Sequence, residues 1–283
     1  YFDVNRCDNC DKDRRYNRRF TDNDTGERLE VKVGTCGWSV RGGRSAYYKT
    51  FCCIELQETF YRLPKVDTAK EWRMGAPEGF EFVVKAWQAL THPAASPTWR
   101  RAGGPPKWGK AENFGFLRPT EENFRAWEET LKVCEVLGAG FVVVQTPPAF
   151  KPSPEATEGM RAFFTSIERR GVRIGWEPRG EWNQRPDDVR ALCEELSLVH
   201  VVDPFRRMPF LESDVVYFRL HGIGGGETNY SYAYTDDDLR RLLLMLDELK
   251  TVKRAYIMFN NLNMAQDAQR FLTLLRGTRK VFI

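Results

Sequence analysis

From Val31 onward the chain alternates between short, densely apolar runs and longer stretches whose apolar residues recur every three or four positions. The short runs are "VKVGTCGWS", "CCIELQETF", "FEFVVKAWQA", "GFVVVQTPP", "RIGWEPRG", "LVHVVDPF", "VVYFRLHG" and "AYIMFNN". Most are apolar almost without a break, which is the pattern of parallel strands covered on both faces. The longer stretches carry helix punctuation. "TEENFRAWEETLKVCEVLG" opens on a capping-box-like Thr120 and Asn123 and closes on Gly138. "SPEATEGMRAFFTSIERRG" places Pro154 in the first turn and Gly171 at the end. "DDDLRRLLLMLDELK" and "NMAQDAQRFLTLLRG" have amphipathic spacing with basic residues near their ends.

Eight strands alternating with helices predict an α/β fold, a single (β/α)8 TIM-barrel-like domain over residues 31–283. The connections after the first and sixth strands are too short for long helices. A doubly wound open sheet is the competing architecture, but no strand-turn-helix GxGxxG or Walker-type loop is present, so the usual nucleotide fingerprints are absent. Residues 1–30 stand apart. They are dense in both charge signs with little apolar periodicity, and read as an N-terminal extension that is disordered or lies across the surface.

Polar residues collect where the strands end. They are Cys36 and Trp38; Glu55 and Gln57; Lys85 and Trp87; Gln145; Glu177 and Arg179; Asp203; Arg219 and His221; and Asn260 and Asn261. Members of a pair two residues apart share one face of their strand. In a barrel the C-terminal ends of the strands are where active sites are built. Arg179 and Arg219 suit bidentate binding of a carboxylate or phosphate, and Lys85 adds a point charge. Glu55, Glu177 and Asp203 suit a general base, metal ligands or partners of the arginines, while His221 suits proton transfer or metal binding.

Composition adds little constraint. Net charge is +4, from 43 basic and 39 acidic side chains, which permits an anionic partner without requiring one. Residues 91–120 are more pointed, with five basic residues (Arg100, Arg101, Lys107, Lys110 and Arg118) against the single acid Glu112, and with Trp99 and Trp108 among them. A loop of this length and makeup suits either a phosphate backbone with stacked bases or a solvated cover over the barrel mouth. No apolar run reaches the ~18 residues of a membrane helix, and no secretory leader is legible, so a cytoplasmic protein is expected.

The seven cysteines do not form a disulfide framework. Cys134 and Cys193 fall within helical patterns and read as small core residues. Cys7 and Cys10 form one CxxC without a second. Joined by two of Cys36, Cys52 and Cys53, they would make a zinc or iron–sulfur site, the set with Cys36 and Cys52 being the one named here; unliganded thiols are the alternative. Adjacent Cys52 and Cys53 point to opposite faces, so only one can face a given site.

From about Val31 to Leu275 the chain resembles the YecE-like family, domain of unknown function 72. The resemblance rests on "VGTCGWS", "IELQETFYRLP", "FVVKAWQALTHP", "VVVQTPP", "GWEPRGEW", "VYFRLHG" and "MFNN", in that order. This sequence has Cys36 where many members carry Ser, and Gln57 in place of an Asn. The resemblance implies a TIM barrel with a polar cavity that includes Glu55, Lys85, His92, Gln145, Glu177, Arg179, Asp203, Arg219, His221 and Asn260 or Asn261. It also makes phosphodiester cleavage a candidate, through the fold's likeness to endonuclease IV-like enzymes. With only three histidines (His92, His200 and His221), a polynuclear metal site would have to lean on Glu and Asp.

The expectation is therefore a hydrolase of a phosphate-containing substrate, nucleic acid among the candidates. Lys85, Arg179 and Arg219 hold the anion, Glu177 or Asp203 activates water with or without a divalent metal at the rim, and His221 protonates the leaving group. A non-catalytic anion or nucleic-acid-binding module is one rival. A metal-free lyase or isomerase on a sugar acid or sugar phosphate, with Lys85 and Glu177 as acid and base, is another. The sequence does not set the oligomeric state.

Overall fold

The computed structural model describes residues 19–21 and 28–277. Strand β1 (Arg19–Thr21) pairs antiparallel with β2 (Arg28–Thr35), and the chain then alternates. Helix α1 (Gly43–Thr50) leads to β3 (Cys53–Leu56), α2 (Glu58–Tyr61), α3 (Val66–Gly75) and β4 (Glu81–Lys85). Three short 3₁₀ turns, Gln88–Leu90, Pro97–Ala102 and Ala111–Asn113, precede α4 (Glu121–Leu137), β5 (Phe141–Gln145), α5 (Pro154–Ser166) and β6 (Arg173–Glu177). The rest is a 3₁₀ turn at Gly180–Gln184, α6 (Pro186–Glu195), β7 (Val199–Val202), β8 (Val215–Leu220), α7 (Asp236–Asp247), β9 (Arg254–Phe259) and α8 (Met264–Gly277).

The hydrogen-bonded order is β1-β2-β9-β8-β7-β6-β5-β4-β3, and a parallel bridge between Cys36 and Glu55 joins the end of β2 to β3. With eight parallel strands this is the (β/α)8 TIM-barrel-like fold that the alternating pattern predicts. The chain forms two compact units. One holds the described residues up to Glu55, Gly75–Glu81 and those from Val201 onward; the other holds Leu56–Met74 and Phe82–His200. Among the described residues no helix is long and apolar enough to cross a membrane.

Local signals largely set the elements. The Thr120 side chain accepts from the Asn123 amide at the start of α4, and Gly138 closes that helix in a left-handed conformation. Thr235 and Asp238 form a reciprocal capping box on α7. Two boundaries differ from the sequence expectation. "QETF" does not continue β3 but turns into α2, whose Thr59 hydroxyl donates to the Leu56 and Lys85 carbonyls, both at 2.7 Å. Helix α5 stops at Ser166, five residues before Gly171, because Ile167 returns to extended backbone. Between β7 and β8 no helix forms, as the short connection requires. Cys134 and Cys193 are buried in helices α4 and α6, and desolvation pushes both thiols up to about 12.

The first unit has its own layered interior. On one face of the strands the register aligns Lys32, Tyr256 and Tyr217, then Gly34, Met258 and Arg219. Lys32 lies 3.0 Å from both Glu30 and Glu81, and Tyr256 donates to Glu81 at 2.9 Å, so this charged layer is internally satisfied. Gly34 is required above it. A Cβ there would lie 2.5 Å from the Cys53 carbonyl oxygen and 2.9 Å from the Cys53 sulfur. Gly34→Ala is expected to destabilise by about 1–3 kcal/mol in urea unfolding. Gly140→Ala, where an added Cβ meets nothing within 4 Å, is expected to change stability little.

Candidate functional site

In the first unit, alternation along β8 brings Tyr217, Arg219 and His221 to one face, and the register with β7 sets Asp203 beside them. Arg219 is fully buried, as is Glu55. Its Nε donates to Glu55 Oε2 at 2.9 Å and its Nη2 to Oε1 at 2.8 Å, a side-on fork closed on one carboxylate. The Tyr217 hydroxyl donates to Glu55 Oε2 at 2.9 Å. Burial first, and the adjacent Glu55 second, hold the Tyr217 hydroxyl well above the usual tyrosine range. Arg219 Nη2 also lies 3.8 Å from the Cys36 sulfur, itself buried.

The third nitrogen of that guanidinium meets His221, with Arg219 Nη1 3.4 Å from His221 Nε2. Arginine has donors only, so Nε2 faces it as an acceptor and the ring proton sits on Nδ1. Nδ1 is 3.8 Å from Asp203 Oδ2, and the same oxygen accepts the His221 backbone N–H at 2.9 Å. Asp203 Oδ1 accepts from the Phe205 amide at 3.1 Å. His221 is thus an imidazole oriented between a carboxylate and a guanidinium. Asn261 serves a different end: its amide nitrogen donates to Asp267 Oδ2 and to the Tyr232 carbonyl, both at 2.7 Å, tying the start of α8 to the chain before α7. Asn260 is half-buried, and its backbone N–H donates to Leu220 at 2.9 Å. Trp38 stands edge-on against Tyr47 and Tyr48 of α1, with centroids 5.2 and 5.5 Å away.

In the second unit, Lys85 is 7% exposed, its Nζ 3.3 Å from Gln57 Oε1 and 4.5 Å from the centre of the Phe60 ring. His92 meets Phe60 edge-on at 4.9 Å. Burial, with the Lys85 charge second, lowers His92 to about 3, so the ring is neutral at neutral pH. Its Nδ1 pairs with the Thr91 hydroxyl at 2.8 Å. Gln145 and Glu177 are register partners on β5 and β6, and Glu177 is paired with Arg179, both almost fully buried.

The 91–120 segment is more ordered than an unstructured loop. Trp99 is buried and donates to the Pro93 carbonyl at 3.1 Å, and the Gly115 and Leu117 amides return to Ala89 and Leu90. Arg118 caps the Phe114 and Gly115 carbonyls. Arg100, Arg101, Lys107 and Lys110 remain exposed, and Trp108 lies under the Arg125 guanidinium at 4.1 Å.

Cys36 shares the face of Cys53 and Glu55, while Cys52 is a half-buried bend residue just before β3. Cys7 and Cys10 lie outside the described residues. Among the described residues no three or more His, Cys, Asp and Glu side chains gather to hold a metal ion.

Three contributors were not singled out from sequence. Tyr217 was within reach, since it stands two residues before Arg219 in "VYFRLHG" and obeys the same alternation. Phe60 sits in a run that reads as strand. Arg206, whose guanidinium donates to the Gly222 and Gly224 carbonyls, lies in a connection with no periodicity at all.

Arg219 therefore already holds a partner, and its removal strands a buried carboxylate. Arg219→Ala is expected to cost about 3–5 kcal/mol in urea unfolding, and joint replacement Glu55→Leu, Tyr217→Phe and Arg219→Met to recover most of it. His92 gives a pH signature. Its folded value lies below the ordinary 6.5, so the stability tied to its neutral form is present above that pH and is lost as pH falls toward about 3. His92→Gln is expected to lose less stability than the parent between pH 7 and about pH 4.5 in the same measurement.

Comparison with known proteins places the chain in a family. The model for "Protein of unknown function DUF72" matches residues 32–281. Among solved structures, a DUF72 protein from Thermotoga maritima is 23% identical with a TM-score of 0.64, over 88% of this chain and 99% of its own. A DUF72 protein from Enterococcus faecalis is 20% identical with a TM-score of 0.63, over 87% and 97%. Endonuclease IV from Thermus thermophilus shares the fold at 14% identity and a TM-score of 0.50, over 88% and 99%. No curated protein matches the chain. On the extent of the family match and on the shared fold, the chain belongs to the DUF72 family.

Proposed function

We propose that this chain is a hydrolase acting on a phosphate-containing substrate, with His221 as its proton-transfer group. The observation that carries the reading is the setting of His221, whose Nδ1 faces Asp203 Oδ2 at 3.8 Å while Nε2 is left as an acceptor. A water reaching Nε2, whose contact with Arg219 Nη1 is long at 3.4 Å, gives its proton there as its oxygen bonds to phosphorus, while Arg219 stays paired with Glu55. The bond to the leaving oxygen breaks, and the imidazolium returns the proton to that oxygen. Asp203 stabilises the imidazolium in between.

This reverses the part expected of His221, from acid alone to base first, because a donor-only arginine faces Nε2. It also moves Arg219 from holding the substrate to fixing Glu55 and the ring beside it. In the second unit Lys85, buried beside a neutral imidazole and over an aromatic ring, is the cation suited to an anionic group. A nucleic acid is one source of the phosphate, and endonuclease IV, whose fold is alike, is by name a nuclease.

The test is a panel of phosphomonoesters, phosphodiesters and single-stranded and abasic oligonucleotides, scored for released phosphate or cut strands. Turnover is expected on at least one class, with His221→Gln reducing it by about 10²–10⁴-fold while the thermal transition stays in place. A full panel with no turnover by the parent chain sinks the reading.

A further inference from the structure

The proton chemistry at His221 makes no use of the basic segment between β4 and α4, in the second unit. That segment is built on a fixed scaffold. Trp99, in the 3₁₀ turn Pro97–Ala102, is buried, and the Gly104 N–H donates to its carbonyl at 3.0 Å. Further on, the Lys110 N–H and the Asn113 side chain donate to the two carboxylate oxygens of Glu122, both at 3.0 Å. Gly109 lies so near α4 that a Cβ would be 2.4 Å from Glu122 Cγ. The chain on either side of Trp108 is thereby held against α4.

What this scaffold presents to solvent is positive charge. Arg100, Arg101, Lys107 and Lys110 are exposed, as are Arg62 in the connection after α2 and Arg125 on α4. Among the described residues none of these six cations makes an ion pair with a carboxylate. Arg118, the remaining base of the segment, is taken up by the Phe114 and Gly115 carbonyls. The acids nearest in the chain are the exposed Glu112 and Glu121 and the half-buried Glu122, which already accepts from two donors.

Two of the arginines lie over aromatic rings. The Arg125 guanidinium is 4.1 Å from the centre of Trp108, an exposed ring that stands edge-on to Phe114 at 5.3 Å. The Arg101 guanidinium is 5.2 Å from the centre of the half-buried Tyr61 ring and donates to its hydroxyl at 3.0 Å. Arg62 joins that cluster by donating to the Ala102 carbonyl at 3.0 Å. Each arginine–aromatic pair is a flat cationic surface, the kind on which an unpaired base stacks. Seven residues separate Arg101 from Trp108, so their α-carbons are at most ~25 Å apart, within the reach of a short strand. A double helix keeps its base faces covered, and a lipid headgroup has none to offer.

We propose that this surface binds single-stranded nucleic acid, with its lysines and arginines on the phosphates and its two arginine–aromatic pairs stacking bases. The proposal deepens the hydrolase reading, on which it rests for the strand's being substrate as well as ligand. The probe is a fluorescein-labelled twelve-nucleotide oligothymidylate, titrated with the full chain and followed by anisotropy. Saturable binding is expected, with log affinity falling against log salt by about 0.7 for each phosphate neutralised. Arg101→Gln with Arg125→Gln is expected to weaken binding about tenfold or more while the thermal transition stays in place. Lys107→Ala with Lys110→Ala serves as a second variant should the first disturb the fold, and is expected to flatten the salt slope by about 1.4.

An abasic strand of the same length is expected to bind at least about tenfold more weakly. Equal affinity for the abasic strand, or for a duplex, overturns the stacking of unpaired bases. Capture by anionic phospholipid vesicles with no saturable binding of the strand overturns the proposal in favour of a membrane surface. The substrate panel separates the two proposals: strand binding without turnover keeps the surface and removes the hydrolase, while turnover of phosphomonoesters without strand binding does the reverse.

Discussion

A carboxylate with no exposed surface is tolerated only if its partners arrive with it, and Glu55 is such a carboxylate. Three donors meet it: two from Arg219 and the hydroxyl of Tyr217. Those partners come from β8, 162 and 164 positions along the chain. The pairing fixes the guanidinium in the layer above the Tyr217–Tyr256 stack, where the remaining edge of Arg219 meets His221. The orientation of the imidazole, and with it the chemistry available at this strand end, follows from a pair that makes no contact with solvent.

Much of this was legible in the sequence. The eight apolar runs located the parallel strands, because strands covered on both faces have no polar side to interrupt them. The two-residue spacing holds for Tyr217 and Arg219, which share one face of β8, but not for Glu55 and Gln57, because Gln57 has left the strand for the start of α2. What the sequence withheld was partnership. Arg219 and Arg179 read as anion clamps with Glu55, Glu177 and Asp203 among the candidate partners; each holds one of those glutamates, and nothing in the local pattern says which carboxylate meets which arginine. The turn of "QETF" into α2 was hidden for a related reason. Its β-like composition is overridden by Thr59, which satisfies two carbonyls at once.

Arg206 shows where pattern reasoning stops. It sits on a twelve-residue connection with no helix and no alternation, and its role is defined only by the backbone it touches. A guanidinium that binds carbonyls leaves no trace in the sequence of the loop it organises beyond the glycines that let those carbonyls turn. Cys36 and Cys53 illustrate the converse. They share one face of neighbouring strands, and Met258 packs there with its sulfur 4.0 Å from that of Cys53.

The short strand β1 has a further consequence. β3 begins only at Cys53 and bridges β2 at Cys36, beyond the end of that strand, so it does not reach the edge of β2 at residues 28–30. β1 takes up that stretch instead, with Arg19 opposite Glu30 and Thr21 opposite Arg28. A parallel barrel strand left bare there would offer unpaired amides and carbonyls to any extended chain it met. Pairing by β1 closes that edge against intermolecular strand addition, a task that needs backbone more than any particular side chain.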